Sequence, residues 1–226
     1  MTEKSLYPIV IVFDLDDTLY KEINYLRSAF QYILTHYGLS QYFETFLQTY
    51  QQGKDAFEWL ISNHLPQISK EELIELYRNH IPSIALSQEV YSALESLSLN
   101  PNVTLGIITD GRTRTQLNKI GALGLYDFIS DDHIIISERF GCAKPNPANY
   151  LYFMENIEAQ EYWYVGDNVQ KDFIAPNQLK WKTICLNDDG LNIHSQNVVV
   201  NDAYLPQIRI DSLSELLVFA TQLPSA

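Results

Sequence analysis

Apolar positions along the chain fall into two kinds of run. Residues 8–13 form an unbroken β-branched and aromatic stretch, and the same signature returns at 103–109, 162–165 and 182–186, with weaker versions at 133–136 and 207–210. Short apolar runs without alternation predict strands buried on both faces, as in a parallel sheet. Between them, helical spacing covers residues 114–123, 147–156 and 172–179. Strands alternating with helices predict βαβ units, hence an α/β fold with a Rossmann-like parallel sheet and helices on both faces. In such sheets ligands bind beyond the carboxyl ends of the strands.

One stretch breaks the alternation. Residues 20–85 hold no strand-like run, only amphipathic segments at 24–37, 41–51, 54–64 and 69–80. Ser69-Lys-Glu-Glu72 is a capping-box pattern, and Gly38 and Gly53 suit helix ends. This reads as an all-helical domain inserted directly after the first strand. A helix over 87–97 then returns the chain to the sheet, closed by the turn Asn100-Pro-Asn102. The expected division is a core domain of residues 1–19 and 86–226 and a helical domain of 20–85. Residues 187–204 are polar and match no template, while 206–223 read as a last strand and helix.

Charge and cysteines narrow the class. Fifteen Lys and Arg against 28 Asp and Glu leave a formal net charge of −13 over 226 residues. That field repels phosphate backbones, and no basic patch offsets it, so binding to long nucleic acid is disfavoured. A small anion is a different case, because a metal ion and a few backbone N–H groups can reverse the potential locally. The first apolar run is cut off by Asp14, too early for a signal-peptide core or a membrane span, which points to a cytoplasmic protein without membrane association. Cys142 and Cys185 lie far apart without metal-ligand spacing and read as structural thiols; Cys142, near Lys144 in a glycine-containing loop, is the more reactive candidate. The five histidines show no ligand spacing and receive no role.

The chemistry gathers at strand ends. The first strand runs into Phe13-Asp-Leu-Asp-Asp-Thr-Leu19, three acids beside a buried strand that raise one another's pKa and call for a neutralising partner. The second ends in Ile107-Ile-Thr-Asp-Gly-Arg112, where the Thr109 hydroxyl and the N–H groups of Asp110 and Gly111 can donate to one anionic oxygen. Phe140-Gly-Cys-Ala-Lys-Pro145 offers Lys144 in a short loop, and Val165-Gly-Asp-Asn-Val-Gln-Lys-Asp172 puts Asp167 at a strand tip with Asp172 near a helix start. Taken singly, each has an ordinary reading as a turn, a surface lysine or a helix cap. Their order along one sheet edge is far more specific.

That constellation resembles the haloacid dehalogenase (HAD) superfamily. Asp14-x-Asp16-x-Thr18 matches its first motif, Thr109 its second, Lys144 its third, and Gly166-Asp167 with Asp172 its fourth. The helical insert resembles that family's cap domain, and the likeness spans nearly the whole chain. The resemblance implies Asp14 as a nucleophile forming an aspartyl-phosphate and Asp16 as an acid and base whose pKa is raised by its neighbours. It implies Mg²⁺ held by the Asp14 and Asp167 carboxylates and the backbone carbonyl of Asp16. Thr109, the adjoining N–H groups and Lys144 would clasp the phosphoryl oxygens. Lys144 would also keep Asp14 ionised, Asp172 would orient Lys144 or act through water, and Thr18 would position. Asp17 is expected to serve backbone hydrogen bonding, and Asp110 stands where many relatives carry Asn.

The expected activity is a Mg²⁺-dependent phosphatase acting on a small phosphorylated metabolite such as a sugar phosphate or nucleotide. A phosphomutase would use the same acids, and a silent binding scaffold should have lost one of Asp14, Asp16, Lys144 or Asp167. The dehalogenase branch of the family lacks a carboxylate at the Asp16 position. A phospho-accepting receiver domain carries its phosphorylated aspartate on a later strand and has no helical insert. Most aromatics of the insert, among them Tyr50, Phe57 and Tyr77, are expected in its own core, with a minority facing the cleft.

Overall fold

The protein is described by a computed structural model covering residues 8–221. β1 (Ile9–Phe13) leads into four helices, α1 (Glu22–His36), α2 (Phe43–Gln51), α3 (Ala56–His64) and α4 (Lys70–Asn79). The chain continues through α5 (Gln88–Ser98), β2 (Val103–Thr109), α6 (Thr113–Ala122), β3 (Ile134–Ile136), α7 (Ser137–Phe140) and α8 (Ala148–Asn156). It closes with β4 (Glu161–Gly166), α9 (Ile174–Gln178), β5 (Lys182–Leu186), β6 (Ile208–Ile210) and α10 (Glu215–Thr221). Residues 222–223 of the last expected helix, and residues 1–7 of the expected core domain, lie outside the described residues.

All six strands are parallel, in the order β3-β2-β1-β4-β5-β6. Five consecutive buried residues in β1 reflect its place at the centre. Ile9, Ile11 and Phe13 face one apolar cluster, with Leu94 and Leu97 of α5 and Ile120 of α6. Val10 and Val12 face the other, with Tyr150 and Phe153 of α8 and Ala175 of α9. The chain builds outward from β1 through β2 to β3 and then returns to the far side of β1 with β4. The strand order therefore reverses between β1 and β4, the point at which open α/β sheets bind ligands.

The helices between β1 and β2 have an apolar cluster of their own. Phe30, Ile33 and Leu34 of α1 pack with Phe46 and Leu47 of α2, Leu60 of α3 and Leu73 of α4. Local signals start and stop these helices as the sequence suggests. The Ser69 hydroxyl accepts from Glu72 N–H at 3.2 Å, and Asp55 caps α3 by accepting from Glu58 N–H at 3.0 Å. Gly38 and Gly53 both take positive φ where helices end.

Two local expectations shift. The helix expected over 172–179 shortens to α9, because residues 167–172 form turns closed by Asp172 N–H donating to the Asn168 carbonyl at 2.9 Å. Asp172 therefore precedes the helix and does not cap it. The four-residue α7 is an addition, too short to carry a periodic signal. No helix among the described residues is long and apolar enough to cross a membrane.

Gly106 in β2 has no room for a side chain, since a Cβ there would stand 2.4 Å from the Phe153 ring. Gly106→Ala is expected to cost about 1–3 kcal/mol of unfolding free energy through overpacking. Phe153→Leu in the same chain should cost less than the two single changes added together, which urea titration of the three variants will measure. Additive costs would mean that the ring is not what excludes the methyl group.

Candidate active site

Asp14 follows β1 directly, and its N–H continues the ladder by donating to the Val165 carbonyl at 2.8 Å. Thr109 closes β2 and Gly166-Asp167 closes β4, so the two strands flanking β1 deliver their terminal residues beside it. The loop after α7 brings Lys144, held by its own N–H donating to Asp110 Oδ1 at 3.0 Å. The four sequence motifs thus converge on the carboxyl edge of the sheet. Asp14, Asp17, Thr18, Thr109, Lys144, Asp167 and Asp172 are all buried.

Lys144 is the centre of the charge arrangement. Its Nζ lies 2.8 Å from Asp14 Oδ1 and 2.8 Å from Asp172 Oδ1, and it donates to the Tyr164 hydroxyl at 3.0 Å. Asp14 Oδ1 also accepts from Leu15 N–H at 2.8 Å, so Asp14 Oδ2 is the oxygen that neither contact uses. Asp172 Oδ2 accepts from the backbone N–H groups of Asp167 and Asn168 at 3.2 and 2.9 Å. Gly166 makes this possible: a Cβ there would stand 2.6 Å from Asp172 Oδ2. Asp172 therefore pairs with Lys144 and ties down the backbone of the turn after β4.

Oxygen atoms of Asp14, Asp167 and Asp172 lie within 4.8 Å of one another. Asp172 is held by the Lys144 ammonium and two backbone N–H groups, whereas Asp14 Oδ2 is unused by its contacts and Asp167 accepts from the neutral side chains of Thr18 and Asn192, so Asp14 and Asp167 are the carboxylates of this group able to turn toward a cation. Three buried carboxylates against one buried ammonium leave negative charge that a hard divalent ion would balance, so the residues present fit Mg²⁺. Thr18 reaches Asp167 Oδ1 at 3.5 Å.

Asp16 departs from expectation. Burial pushes its carboxyl pKa up, but Lys119 at 2.7 Å from Oδ1, the Tyr20 hydroxyl and Gln116 Nε2 at 2.9 Å from Oδ2 outweigh that, and the net shift is downward. The raised pKa expected from acidic neighbours is thus corrected. Lys119 is buried on α6, its Nζ 4.4 Å from the centre of the Tyr25 ring. Gln116 Nε2 also donates to Thr109 Oγ1 at 2.6 Å, joining the second acid to the motif-two hydroxyl. Gly111 differs as well: its N–H donates to Ser137 Oγ at 2.9 Å and so is already engaged.

A match to the family model described as haloacid dehalogenase-like hydrolase covers residues 11–186. The chain belongs to that family. It is 29% identical to the glyceraldehyde 3-phosphate phosphatase of Methanocaldococcus jannaschii, across 77% of this chain and 82% of the relative. A protein of the same name from Pyrococcus abyssi is 31% identical, across 77% and 79%. In fold, the chain resembles Bacillus subtilis YfnB, described as a HAD hydrolase and solved bound to magnesium, with a TM-score of 0.64 at 18% identity over 94% of this chain and 98% of that one.

Against the family motifs, several site residues carry no sequence signal. Lys119 and Gln116 sit at ordinary helical spacing on α6. Lys171 reaches Asp110 Oδ2 at 3.2 Å, which neutralises the acid standing where many HAD relatives carry Asn. Residues 187–197, polar and unassignable from sequence, fold over the site. There Asn192 Nδ2 donates to Asp167 Oδ2 at 3.0 Å, and Gln196 Nε2 donates to the Asp167 carbonyl at 3.0 Å. The Ile193 N–H donates to Asp17 Oδ2 at 2.8 Å, and the Glu22 N–H donates to Asp17 Oδ1 at 2.8 Å, which is the backbone role expected of Asp17. His194, given no role from sequence, lines a cavity of about 190 Å³ together with Asp14, Asp16 and Asp167. Cys185 is buried with its thiol pushed up to about 12 by desolvation, and Cys142 donates to Asn149 Oδ1 at 3.3 Å.

Burial, reinforced by neighbouring carboxylates, raises the pKa of Asp14 to about 6, of Glu22 to about 7 and of Asp167 to about 8; Lys144 opposes the rise at Asp14. Unfolded carboxyls titrate near 4. Between about pH 4 and 8 the folded state therefore binds more protons than the unfolded state, and stability falls as pH rises through that window. The chelator-treated protein should accordingly melt at a lower temperature at pH 8 than at pH 5, with Mg²⁺ recovering part of the loss at pH 8. A melting temperature that climbs from pH 5 to pH 8 would contradict this account of the buried carboxylates.

Proposed function

We propose that the protein is a Mg²⁺-dependent phosphomonoester hydrolase of small metabolites, working through an aspartyl-phosphate on Asp14. The observation that carries the reading is the pairing of Lys144 with Asp14 Oδ1, which leaves Oδ2 available for attack beside a second carboxylate, Asp16. The phosphatase names of the archaeal relatives support the substrate class.

In the first half-reaction Asp14 Oδ2 bonds to phosphorus while the bond from phosphorus to the ester oxygen breaks, and the departing alkoxide takes a proton from Asp16. In the second, water attacks the phosphorus of the acyl phosphate and gives its proton to Asp16. Inorganic phosphate leaves and the Asp14 carboxylate is restored. Lys119 holds Asp16 as an anion, a state suited to the base of the second step, so proton delivery in the first step requires the Lys119 contact to open. Thr109 offers a hydroxyl donor to the equatorial oxygens, and Lys144, its N–H groups directed at Asp14, Asp172 and Tyr164, contributes positive charge beside the attacked phosphorus. Asp14, Asp167 and the Asp16 carbonyl would hold Mg²⁺, which would offset the phosphoryl charge and draw the ester into an acidic site.

Asp16 favours this chemistry over halide displacement, whose leaving group needs no proton. With Mg²⁺ present, the protein is expected to release inorganic phosphate from a panel of phosphomonoesters and to stop when chelator is added. Asp14→Asn should lower turnover by roughly three orders of magnitude or more while leaving the circular dichroism spectrum unchanged. Phosphate transfer between two sugar phosphates without release would make the protein a mutase, and inertness on every ester would make it a binding scaffold.

Asn192 fixes one oxygen of a proposed metal ligand, so Asn192→Ala should weaken Mg²⁺ binding about tenfold or more, the usual effect of losing an outer-shell partner. Calorimetric titration of Mg²⁺ into the substrate-free protein reads this directly. Unchanged affinity would remove Asn192 from the metal site.

A further inference from the structure

The catalytic cavity does not end at the carboxylates. Glu22 and His194 line it and also line a second cavity of about 580 Å³ that runs between the helical unit and the loop carrying Ile193 and His194. Glu22 and His194 thus mark the neck at which the two spaces adjoin. Beyond it the walls are Leu26, Phe30, Tyr50, Phe57 and Tyr77. Tyr50, Phe57 and Tyr77 are only partly buried, although the sequence pattern leads one to expect most aromatics of this insert in its core.

The polar groups are unevenly spread. Glu22 and His194 stand at the neck, while Lys54, Asp55 and Lys70 occupy the outer rim, where Lys70 is already paired with Asp55. The side chain of Glu22 has no hydrogen-bond or ion-pair partner among the described residues, and its backbone N–H is tied to Asp17. A carboxylate placed this way, on the first turn of α1, is an acceptor for substrate hydroxyls. The middle of the chamber is lined mainly by aromatic and aliphatic side chains, with the Tyr50 and Tyr77 hydroxyls as its hydrogen-bonding groups, so it suits a planar ring better than a polyol with a hydroxyl on every carbon.

From the phosphate site outward there are thus an anion pocket, a polar neck and an aromatic chamber. The chamber falls within the range of about 300–1,000 Å³ typical of sites for ring-bearing ligands, and a three-carbon phosphate would leave it largely unfilled. We infer that the leaving group is a nucleoside: a hydroxylated sugar at the neck accepted by Glu22, and a planar base stacked in the chamber against Tyr50, Phe57 and Tyr77. The substrate class is then a nucleoside monophosphate, and Glu22 and Phe57 are specificity-determining residues. This rests on the hydrolase reading above and narrows it.

The test compares kcat/KM, with Mg²⁺ present, for uridine and adenosine 5′-monophosphates, ribose 5-phosphate and glyceraldehyde 3-phosphate. The better nucleotide is expected to exceed both smaller esters by about tenfold or more, mainly through KM. Phe57→Leu, which keeps the wall apolar, should collapse the ratio of nucleotide to ribose 5-phosphate toward one, with folding checked by its melting temperature. Calorimetry of nucleotide binding to the Asp14→Asn protein should show affinity that Glu22→Gln in the same chain weakens about tenfold. Equal or better turnover of glyceraldehyde 3-phosphate or ribose 5-phosphate would overturn the nucleoside assignment and leave the hydrolase reading standing. Release of phosphate from none of the esters would instead overturn the hydrolase reading.

Discussion

A single ammonium group, Lys144 Nζ, sits between two buried carboxylates, and the geometry of the site follows from that constraint. Its partners come from different strands: Asp14 from the end of β1 and Asp172 from the turns after β4. Leaving any one of these charges without its partner in a dry interior costs about 3–5 kcal/mol, so the three hold one another in place. Asp172 in turn grips the backbone at Asp167 and Asn168, which is possible only because Gly166 presents no side chain. Asp167 is thereby set beside Asp14, and the site is a property of two strand ends and the Lys144 loop acting as one unit.

The same constraint explains what could be read from sequence and what could not. Buried parallel strands need unbroken apolar runs, so the sheet and its site-bearing tips stand out along the chain. Asp14, Thr109 and Asp167 occupy those tips, with Lys144 in the loop after α7, and their order is legible for that reason. Asp16's titration was not legible, because the charge that decides it belongs to Lys119, 103 residues away on a helix with no distinguishing pattern. Asn192 and Gln196 escaped for a related reason: a polar loop has no periodicity, and its partners lie 25 and 29 residues back in the chain. The run of helices after β1 was visible because helical spacing replaces strand runs there. The position of His194 against that unit was not, since it depends on a loop laid across from the sheet.

An acidic protein that handles an anion must spend its few cations carefully. Lys119, Lys144 and Lys171 each pair with a carboxylate at the site, and two of the three are buried. Lys119 cancels Asp16 and Lys171 cancels Asp110, so neither leaves a full positive charge over the ester. Asp14, Asp167 and Asp172 together exceed the one ammonium they share. The remaining negative potential opposes the approach of a phosphate ester, and a bound cation would reverse it locally.

Asp16 links this charge balance to the helical unit. Its partner Lys119 packs under the ring of Tyr25 on α1, and the Tyr25 hydroxyl donates to the Tyr77 carbonyl in α4 at 2.7 Å. Tyr20, a second partner of Asp16, lies in the short segment joining β1 to α1. Through Gln116 the same carboxylate is tied to the Thr109 hydroxyl at the phosphate site. A shift of α1 against the sheet therefore acts on Lys119 and Tyr20 together, and on the proton affinity of Asp16 through them. Because α1 also carries Glu22 and Leu26 into the aromatic chamber, whatever fills that chamber bears on the element that sets the state of the second acid.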